Sequence, residues 1–136
     1  MSAGKLLALY GICIVTFFAL DLTWLSIATK RIYQPMLGDL LAKQPKLGVA
    51  AAFYLLYVAG VVALAVVPGL GQGSVVAALW RGALFGLLAY ATYDLTNLST
   101  IRDWPWRLSA IDMAWGTVVS SLVTVVGYFA GRWLGM

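Results

Sequence analysis

Residues 6–28 of the chain read LLALYGICIVTFFALDLTWLSIA, and Asp21 is the single charged side chain among them. A helix needs about 20 predominantly apolar residues to cross the hydrocarbon core of a membrane. Three further segments of sufficient length follow, at residues 47–67, 75–98 and 108–134. None of the four alternates apolar and polar residues with the period of two that barrel strands show. The sequence therefore predicts four transmembrane helices.

The composition agrees with this count. Hydrophobic residues make up 62% of the chain, charged residues make up 10%, and the mean hydropathy is +0.91. A soluble domain devotes about 25% of its residues to charge, so a water-soluble globular protein is excluded. We expect an all-α membrane protein in which residues 1–136 form a single four-helix transmembrane domain.

The residue types that are missing narrow the chemistry. The chain has no histidine, and Cys13 is its one cysteine. Without histidine the usual ligand sets of haem and zinc are absent, so no cofactor is predicted. The net charge of +4 comes from basic residues at the edges of apolar segments, which suits anionic lipid headgroups and not nucleic acid. Membrane lipids are the expected partners, and a bound lipid is compatible with the sequence.

The connections between the segments differ in charge. Residues 29–46 and 99–107 carry six lysines and arginines between them, whereas residues 68–74 carry none. The termini and the second connection are flanked only by Lys5, Arg81 and Arg132. Because loops rich in lysine and arginine stay on the cytoplasmic side of a membrane, we expect both termini to lie outside.

A short polar pattern occurs twice. Residues 20–26 read LDLTWLS and residues 93–99 read YDLTNLS, so five identical residues recur at an offset of 73. We interpret the pattern as a parallel two-helix repeat, in which helices 1 and 2 correspond to helices 3 and 4. Since two spans separate the copies, both have the same orientation, and a pseudo-two-fold axis along the membrane normal would relate them.

Three aspartates, Asp21, Asp94 and Asp112, lie inside the predicted helices and in the same half of the bilayer. Each is five to nine positions from a basic residue of the first or third connection. An ionisable group costs about 2.5–3.5 kcal/mol on insertion scales and usually faces the bundle interior or a wet cavity. Arg102 and Arg107, in the adjoining connection, are the expected partners of these carboxyls.

Structural roles compete with a functional one for each aspartate. Asp112 follows Ser109 in the S-x-x-D spacing of a capping box, so a cap at the start of helix 4 and a functional role fit equally well. Asp94 lies near a helix C-terminus, where the helix dipole disfavours a carboxylate, so capping does not account for it. Asp21 and Asp94 could instead form a structural hydrogen-bonded pair.

Aromatic residues accompany the aspartates. D-x-x-W occurs at Asp21 and again at Asp112, and a spacing of three places acid and indole on one face of a helix. An acid beside aromatic rings can hold a cation, an amine or a lipid headgroup. No metal site is predicted. The predicted ligand-binding residues are Asp21, Trp24, Tyr90, Tyr93, Asp94, Asn97, Asp112 and Trp115. Trp104 and Trp106, in contrast, suit the headgroup level of the membrane.

Small residues recur along two of the helices and predict where the helices pack. Such stripes let helix backbones approach closely within a membrane. The same stripes would also allow the chain to form a homo-oligomer or to dock into a larger membrane complex. The stripes consist of Ala78, Gly82 and Gly86 in helix 3 and of Gly116, Ser120, Thr124, Gly127 and Gly131 in helix 4.

Motifs along the chain are similar to those of a known family. They are DLTW at residues 21–24, YDLTNL at residues 93–98, Trp104-Pro105, and DMAWGT at residues 112–117. With them the chain resembles, over essentially its whole length, a bacterial family of small predicted inner-membrane proteins classed as a domain of unknown function. The resemblance implies a compact four-helix protein of the bacterial inner membrane, and it implies no catalytic residues.

Three functions are open on this basis. The first in rank is binding or transport of a small amphipathic or cationic ligand at the aspartate and aromatic site, with proton exchange on Asp21 or Asp94. The next is an accessory subunit of a larger membrane complex, docked through the small-residue stripes. The last is a lipid-modifying membrane enzyme that uses the aspartates as acid, base or divalent-cation ligands.

Overall fold

Four long helices make up the chain in the computed structural model, which describes residues Met1–Met136. They are Ala3–Leu40, Leu47–Gly71, Val75–Thr100 and Trp106–Trp133, called here the first to fourth spans. All four are long and apolar enough to cross a membrane, and 86% of the chain is helical with no strand. The prediction of an all-α protein with four transmembrane helices is confirmed.

The first span is longer than the sequence predicts. An α-helix covers Ala3–Ala28, and the chain then continues through a π-helical turn at Thr29–Tyr33, an α-helical turn at Gln34–Leu37 and a 3₁₀ turn at Gly38–Leu40. The prediction that residues 29–46 form a connection is therefore wrong over residues 29–40. The α-helical path ends where Gly38 takes a φ of +51°, a conformation that favours glycine.

Two π-helical turns allow the helices to continue past prolines. The turn Thr29–Tyr33 ends two residues before Pro35, and the turn Val62–Val66 ends two residues before Pro68. Inside an α-helix, proline lacks the N–H that bonds four residues back, and its ring clashes with the carbonyl there. In a π-helical turn the bonds reach five residues back, which relieves this conflict ahead of each proline.

The second span also exceeds its predicted bounds. It consists of Leu47–Val61, the π-helical turn Val62–Val66 and a last helical segment at Val67–Gly71. The predicted connection over residues 68–74 is thus reduced to residues 72–74. The tight turn is completed by Gly73 at φ +61° and by Ser74, whose side chain accepts from the Ala77 N–H at the start of the third span.

The third and fourth spans pack against each other along their length through the predicted small-residue stripes. A Cβ atom added at Gly82 would collide with the side chain of Thr124, and one added at Gly86 would collide with Ser120 and the Gly116 carbonyl. Backbones this close are possible only without side chains at those positions. The prediction that these stripes are packing faces is confirmed.

The fourth span is the centre of the bundle because it contacts each of the other three. The first and third spans hardly touch, and the second span packs mainly on the third. A continuous core fills the interior between them. It includes Leu9, Cys13 and Phe17 of the first span, Val58, Val61 and Val66 of the second, Ala78 of the third, and Val119 and Val123 of the fourth. The two-helix repeat and its axis stay predictions.

Candidate functional site

A cavity of about 840 Å³ opens at the end of the bundle that carries the first and third connections. We call it the aspartate cavity, because Asp21, Asp94 and Asp112 all contribute to its wall. Fourteen of its 22 lining residues are hydrophobic. The cavity therefore combines an apolar surface with three carboxyl groups contributed by three different spans.

Seven of the eight residues predicted to bind a ligand line this cavity. The exception is Asn97, which lies about one helical turn beyond Tyr93 and is not part of the wall. That these residues bind a ligand stays a prediction. The seven are Asp21, Trp24, Tyr90, Tyr93, Asp94, Asp112 and Trp115.

Two tryptophans join the first and fourth spans at the cavity wall. The rings of Trp24 and Trp115 stack with centroids 4.6 Å apart and planes 8° from parallel. Trp115 Nε1 donates to Asp21 Oδ1 across the helix pair at 3.1 Å. Trp24 Nε1 donates to the hydroxyl of Tyr33 at 3.0 Å. The two D-x-x-W motifs are thus linked to each other, because Trp115 of the second motif donates to Asp21 of the first.

Asp112 is held by the far end of the first span. The Tyr33 hydroxyl donates to Asp112 Oδ1 at 2.7 Å. The capping-box alternative for Asp112 is wrong, because the fourth span begins at Trp106, three residues before Ser109. Ser109 instead donates to the backbone carbonyl of Asp94 at 2.8 Å. The Asp112 side chain is therefore turned toward the cavity and the first span.

Asp94 is the aspartate without a donor. Its side chain is 0% exposed, and neither carboxyl oxygen receives a hydrogen bond. The expectation that Arg102 or Arg107 would pair with it is wrong, since neither Asp94 oxygen has a basic partner. Arg107 lies over the ring of Trp106 at 5.7 Å instead. The Asp112 carboxyl lies within hydrogen-bonding reach of Asp94, so a protonated Asp94 can donate to it. Two carboxyl groups thus meet inside the bundle with no basic side chain between them.

Trp104 supports the wall next to Asp94. It is 8% exposed, donates from Nε1 to Ser109 Oγ at 3.0 Å, and packs edge-on against Tyr93. The level of Trp104 in the membrane stays a prediction. Trp106, at 64% exposure, is free to lie there.

An aromatic layer closes the inner end of the cavity. Tyr54 and Tyr90 line the cavity, and behind them Phe17 and Tyr57 are almost completely buried. The Phe17 ring lies 5.2 Å from Tyr54 and 5.0 Å from Tyr57, and Tyr57 in turn packs edge-on against Tyr90. A Cβ at Gly116 would collide with the Tyr90 ring, so this glycine lets the layer pack against the fourth span.

The mouth of the cavity is formed by the segment that the sequence treats as a loop. Leu37, Leu41, Ala42 and Pro45 lie on this side of the wall together with Lys43, the only lysine or arginine among the lining residues. Sequence reasoning also missed Tyr33 and Tyr54. The available signals were weak: Tyr33 follows a basic pair just before Pro35, and Tyr54 lies in an apolar segment with no polar neighbour.

The arrangement suits a ligand that has a polar head and an apolar body. Carboxyl groups lie at one part of the wall, and apolar and aromatic side chains cover most of the remainder. No three histidine, cysteine, aspartate or glutamate side chains form a group that could hold a metal ion.

Comparison with known proteins gives one match. The model of the family described as "Predicted membrane protein (DUF2177)" matches residues 6–129. No curated protein and no solved structure matches the chain. Because the match covers most of the chain, including all seven predicted residues on the cavity wall, the chain belongs to this family of membrane proteins.

Proposed function

We propose that this member of the DUF2177 membrane-protein family binds a small amphipathic cation in the aspartate cavity. The observation that carries the proposal is Asp94, a fully buried carboxyl on the cavity wall to which no group of the protein donates a hydrogen bond. Buried carboxyl groups in proteins are normally paired or hydrogen-bonded. A cationic ligand head would supply the missing partner.

The remainder of the cavity supports an amphipathic ligand over a bare ion. Small-molecule sites commonly enclose about 300–1,000 Å³ and are lined mainly by apolar and aromatic groups. The aspartate cavity, at about 840 Å³ with 14 hydrophobic lining residues, falls within that range. Its apolar surface would cover an alkyl or aryl body, while the carboxyl groups receive the charged head.

The charges on the wall favour a cation. The wall contains three aspartates and one lysine. The lysine, Lys43, is exposed at the mouth, away from the aromatic layer. Asp21 already accepts from Trp115, and Asp112 from Tyr33. Asp94 is therefore the group on which we place the proton exchange that would couple ligand uptake or transport to protonation.

We place the cavity on the cytoplasmic side of a bacterial inner membrane, with both termini outside. One observation and one general rule support this orientation. The cavity opens at the same end of the bundle at which the six lysines and arginines within 29–46 and 99–107 lie. Basic residues flanking spans favour the cytoplasmic side. The bacterial setting follows the resemblance described above.

The experiment compares two probes that share an alkyl chain. Octylamine and 1-octanol are titrated separately into the purified chain in lipid nanodiscs, and binding is followed by tryptophan fluorescence. We expect saturable binding of octylamine at least about tenfold tighter than that of 1-octanol, because pairing with a buried charge is worth several kcal/mol. The variant Asp94→Asn should remove this difference between the two probes.

The matched control is Asp103→Asn. Asp103 is exposed, lies outside the cavity and has φ +60°, a conformation that asparagine also adopts readily. This variant should keep the wild-type preference for octylamine. Absence of saturable octylamine binding, or a preference that survives Asp94→Asn, would contradict the proposed function.

The accessory-subunit alternative is tested by the same preparation. If the chain copurified in mild detergent with a second protein in fixed ratio, and octylamine did not bind, docking into a larger complex would replace the proposal. The lipid-modifying alternative gains no support from a metal-ligand group, since none is formed by the side chains of the chain.

A further inference from the structure

The free acceptor atoms at the inner part of the aspartate cavity point to the chemistry of the ligand head. Both oxygens of Asp94 lack a donor. Asp112 receives a hydrogen bond from Tyr33 on Oδ1, and its carboxyl also lies within hydrogen-bonding reach of Asp94. Once Asp94 is deprotonated, the two carboxyl groups together offer three oxygens to which no group of the protein donates.

A primary ammonium group matches this set in number and in charge. An R–NH₃⁺ head carries three N–H donors and a compact positive charge, and it has no acceptor. Each donor could meet one of the three free oxygens. A quaternary ammonium carries the same charge but no N–H, so it would leave all three oxygens without hydrogen bonds in a buried place, which is costly.

Three of the aromatic residues on the cavity wall already use a ring face or edge in contacts with other rings. Recognition of quaternary ammonium groups by an aromatic cage requires the faces of several rings to be turned toward the cation. Trp24 and Trp115 cover one face of each other by stacking at 4.6 Å. Tyr90 meets Tyr57 edge to face within the aromatic layer. The two indoles in addition donate hydrogen bonds, from Trp115 to Asp21 and from Trp24 to Tyr33.

We propose that the aspartate cavity selects amphipathic primary amines, whose ammonium group donates to Asp94 Oδ1, Asp94 Oδ2 and Asp112 Oδ2. The inference rests on the proposed function, because it specifies the head of the ligand that the cavity binds. Tyr33 is a positioning residue: by holding Asp112 Oδ1 it presents Oδ2 toward Asp94.

The test is a methylation series on one alkyl chain. Octylamine, its N-methyl and N,N-dimethyl derivatives and octyltrimethylammonium carry three, two, one and zero N–H donors in their charged forms. We expect affinity to fall at each step and to drop at least about tenfold across the series. Each added methyl also adds apolar area, so a site that recognised only charge and hydrophobicity would show the opposite trend.

Three variants assign the selectivity to the named atoms. Asp94→Asn and Asp112→Asn should each flatten the series, with octylamine falling toward the affinity of octyltrimethylammonium. Tyr33→Phe should reduce the selectivity ratio, because Asp112 then loses the donor that positions it. Asp103→Asn should leave the ratio at the wild-type value. The ratio measured on the wild-type chain decides the inference even if a variant does not fold.

The outcomes separate the inference from the proposed function. If octyltrimethylammonium binds as tightly as octylamine, and both bind more tightly than 1-octanol, the selection of primary amines is wrong while the cationic site stands. If none of the charged probes binds saturably, both are wrong. If the series falls as expected but stays steep in both aspartate variants, the assignment to Asp94 and Asp112 is wrong.

Discussion

At the scale of single residues, the three intramembrane aspartates differ in what the protein provides for them. Asp21 has an indole donor and Asp112 has a phenol donor, whereas Asp94 has neither and is the most buried of the three. A buried polar group without a partner costs about 1–3 kcal/mol. A chain that keeps such a residue loses stability in the absence of a ligand.

This loss leads to a prediction for Asp94→Asn. The amide has the same shape as the carboxyl, carries no charge, and can donate to Asp112, so it removes the repulsion between the two carboxyl groups. We expect the melting temperature of the ligand-free protein to rise by a few degrees, as about 1 kcal/mol shifts it by roughly 2–8 °C. Differential scanning fluorimetry in detergent measures the shift.

The matched control for this prediction is Asp21→Asn. Asp21 accepts from Trp115, and an asparagine side-chain oxygen can accept the same bond, so we expect a smaller change in melting temperature. A lower melting temperature for Asp94→Asn would mean that the Asp94 carboxylate is a structural partner in the bundle. In that case the proposed function would lose the observation that carries it.

At the scale of helices, the close pairing of the third and fourth spans fixes the part of the wall that carries Asp94 and Asp112. The pairing depends on Gly82 and Gly86, which meet Thr124 and Ser120. Since membrane helices gain little from the hydrophobic effect when they associate, close packing of this kind supplies much of their attraction. A wider pair would separate the two carboxyl groups, which lie within hydrogen-bonding reach of each other.

We therefore predict that Gly86→Ala destabilises the bundle and weakens octylamine binding. The added methyl would collide with Ser120 and with the Gly116 carbonyl, and the backbone of the fourth span must move to admit it. Overpacking of this kind costs about 1–3 kcal/mol. Melting temperature and octylamine affinity should both fall relative to the wild-type chain.

A glycine in open surroundings provides the comparison for Gly86→Ala. Nothing lies within 4 Å of a Cβ built at Gly11, in the middle of the helix Ala3–Ala28. Gly11→Ala should leave the melting temperature unchanged or raise it, because alanine favours helix over glycine by about 1 kcal/mol. Equal losses in both variants would indicate that the collision at Gly86 is not the cause.

The limits of prediction from sequence are clearest in the first two spans. Hydropathy predicts that these spans exist, because backbone N–H and C=O groups without hydrogen bonds are costly in lipid. An apolar segment of that length therefore has to be helical. The continuation past Pro35 and Pro68 depends on π-helical turns, which arise from local relief around the proline ring and leave no periodic pattern in the sequence. As a result, Tyr33 was assigned to a loop.

The candidate site, like the first two spans, could be predicted from the sequence only in part. The unusual cost of Asp21, Asp94 and Asp112 in an apolar chain pointed to the half of the bundle in which the aspartate cavity opens. The partners of these aspartates depend on the rotation of each helix about its axis, which tertiary packing decides. For this reason the stacked tryptophans, the free oxygens of Asp94 and the contribution of Lys43 at the mouth became visible only in three dimensions.

At the scale of the whole molecule, the few charges are sorted by position. Basic residues concentrate at the end of the bundle where the aspartate cavity opens, and the carboxyl groups lie deeper at that same end. A cationic ligand that approaches from this side passes Lys43 before it reaches Asp94 and Asp112. The orientation of the bundle would therefore decide which compartment supplies the proposed ligand.

The proposed orientation predicts which engineered cysteines a membrane-impermeant maleimide reaches from outside intact cells. Two exposed residues mark the opposite ends of the bundle. Gln72 lies in the uncharged connection between the second and third spans, and Asp39 lies near the cavity mouth. Gln72→Cys should label in intact cells, and Asp39→Cys only after permeabilisation. The native Cys13 is 0% exposed and should stay unlabelled in the folded protein, which makes the unaltered chain the control. If only Asp39→Cys were labelled in intact cells, the bundle would have the opposite orientation. The cavity would then open to the outside, and the proposed ligand would come from that compartment.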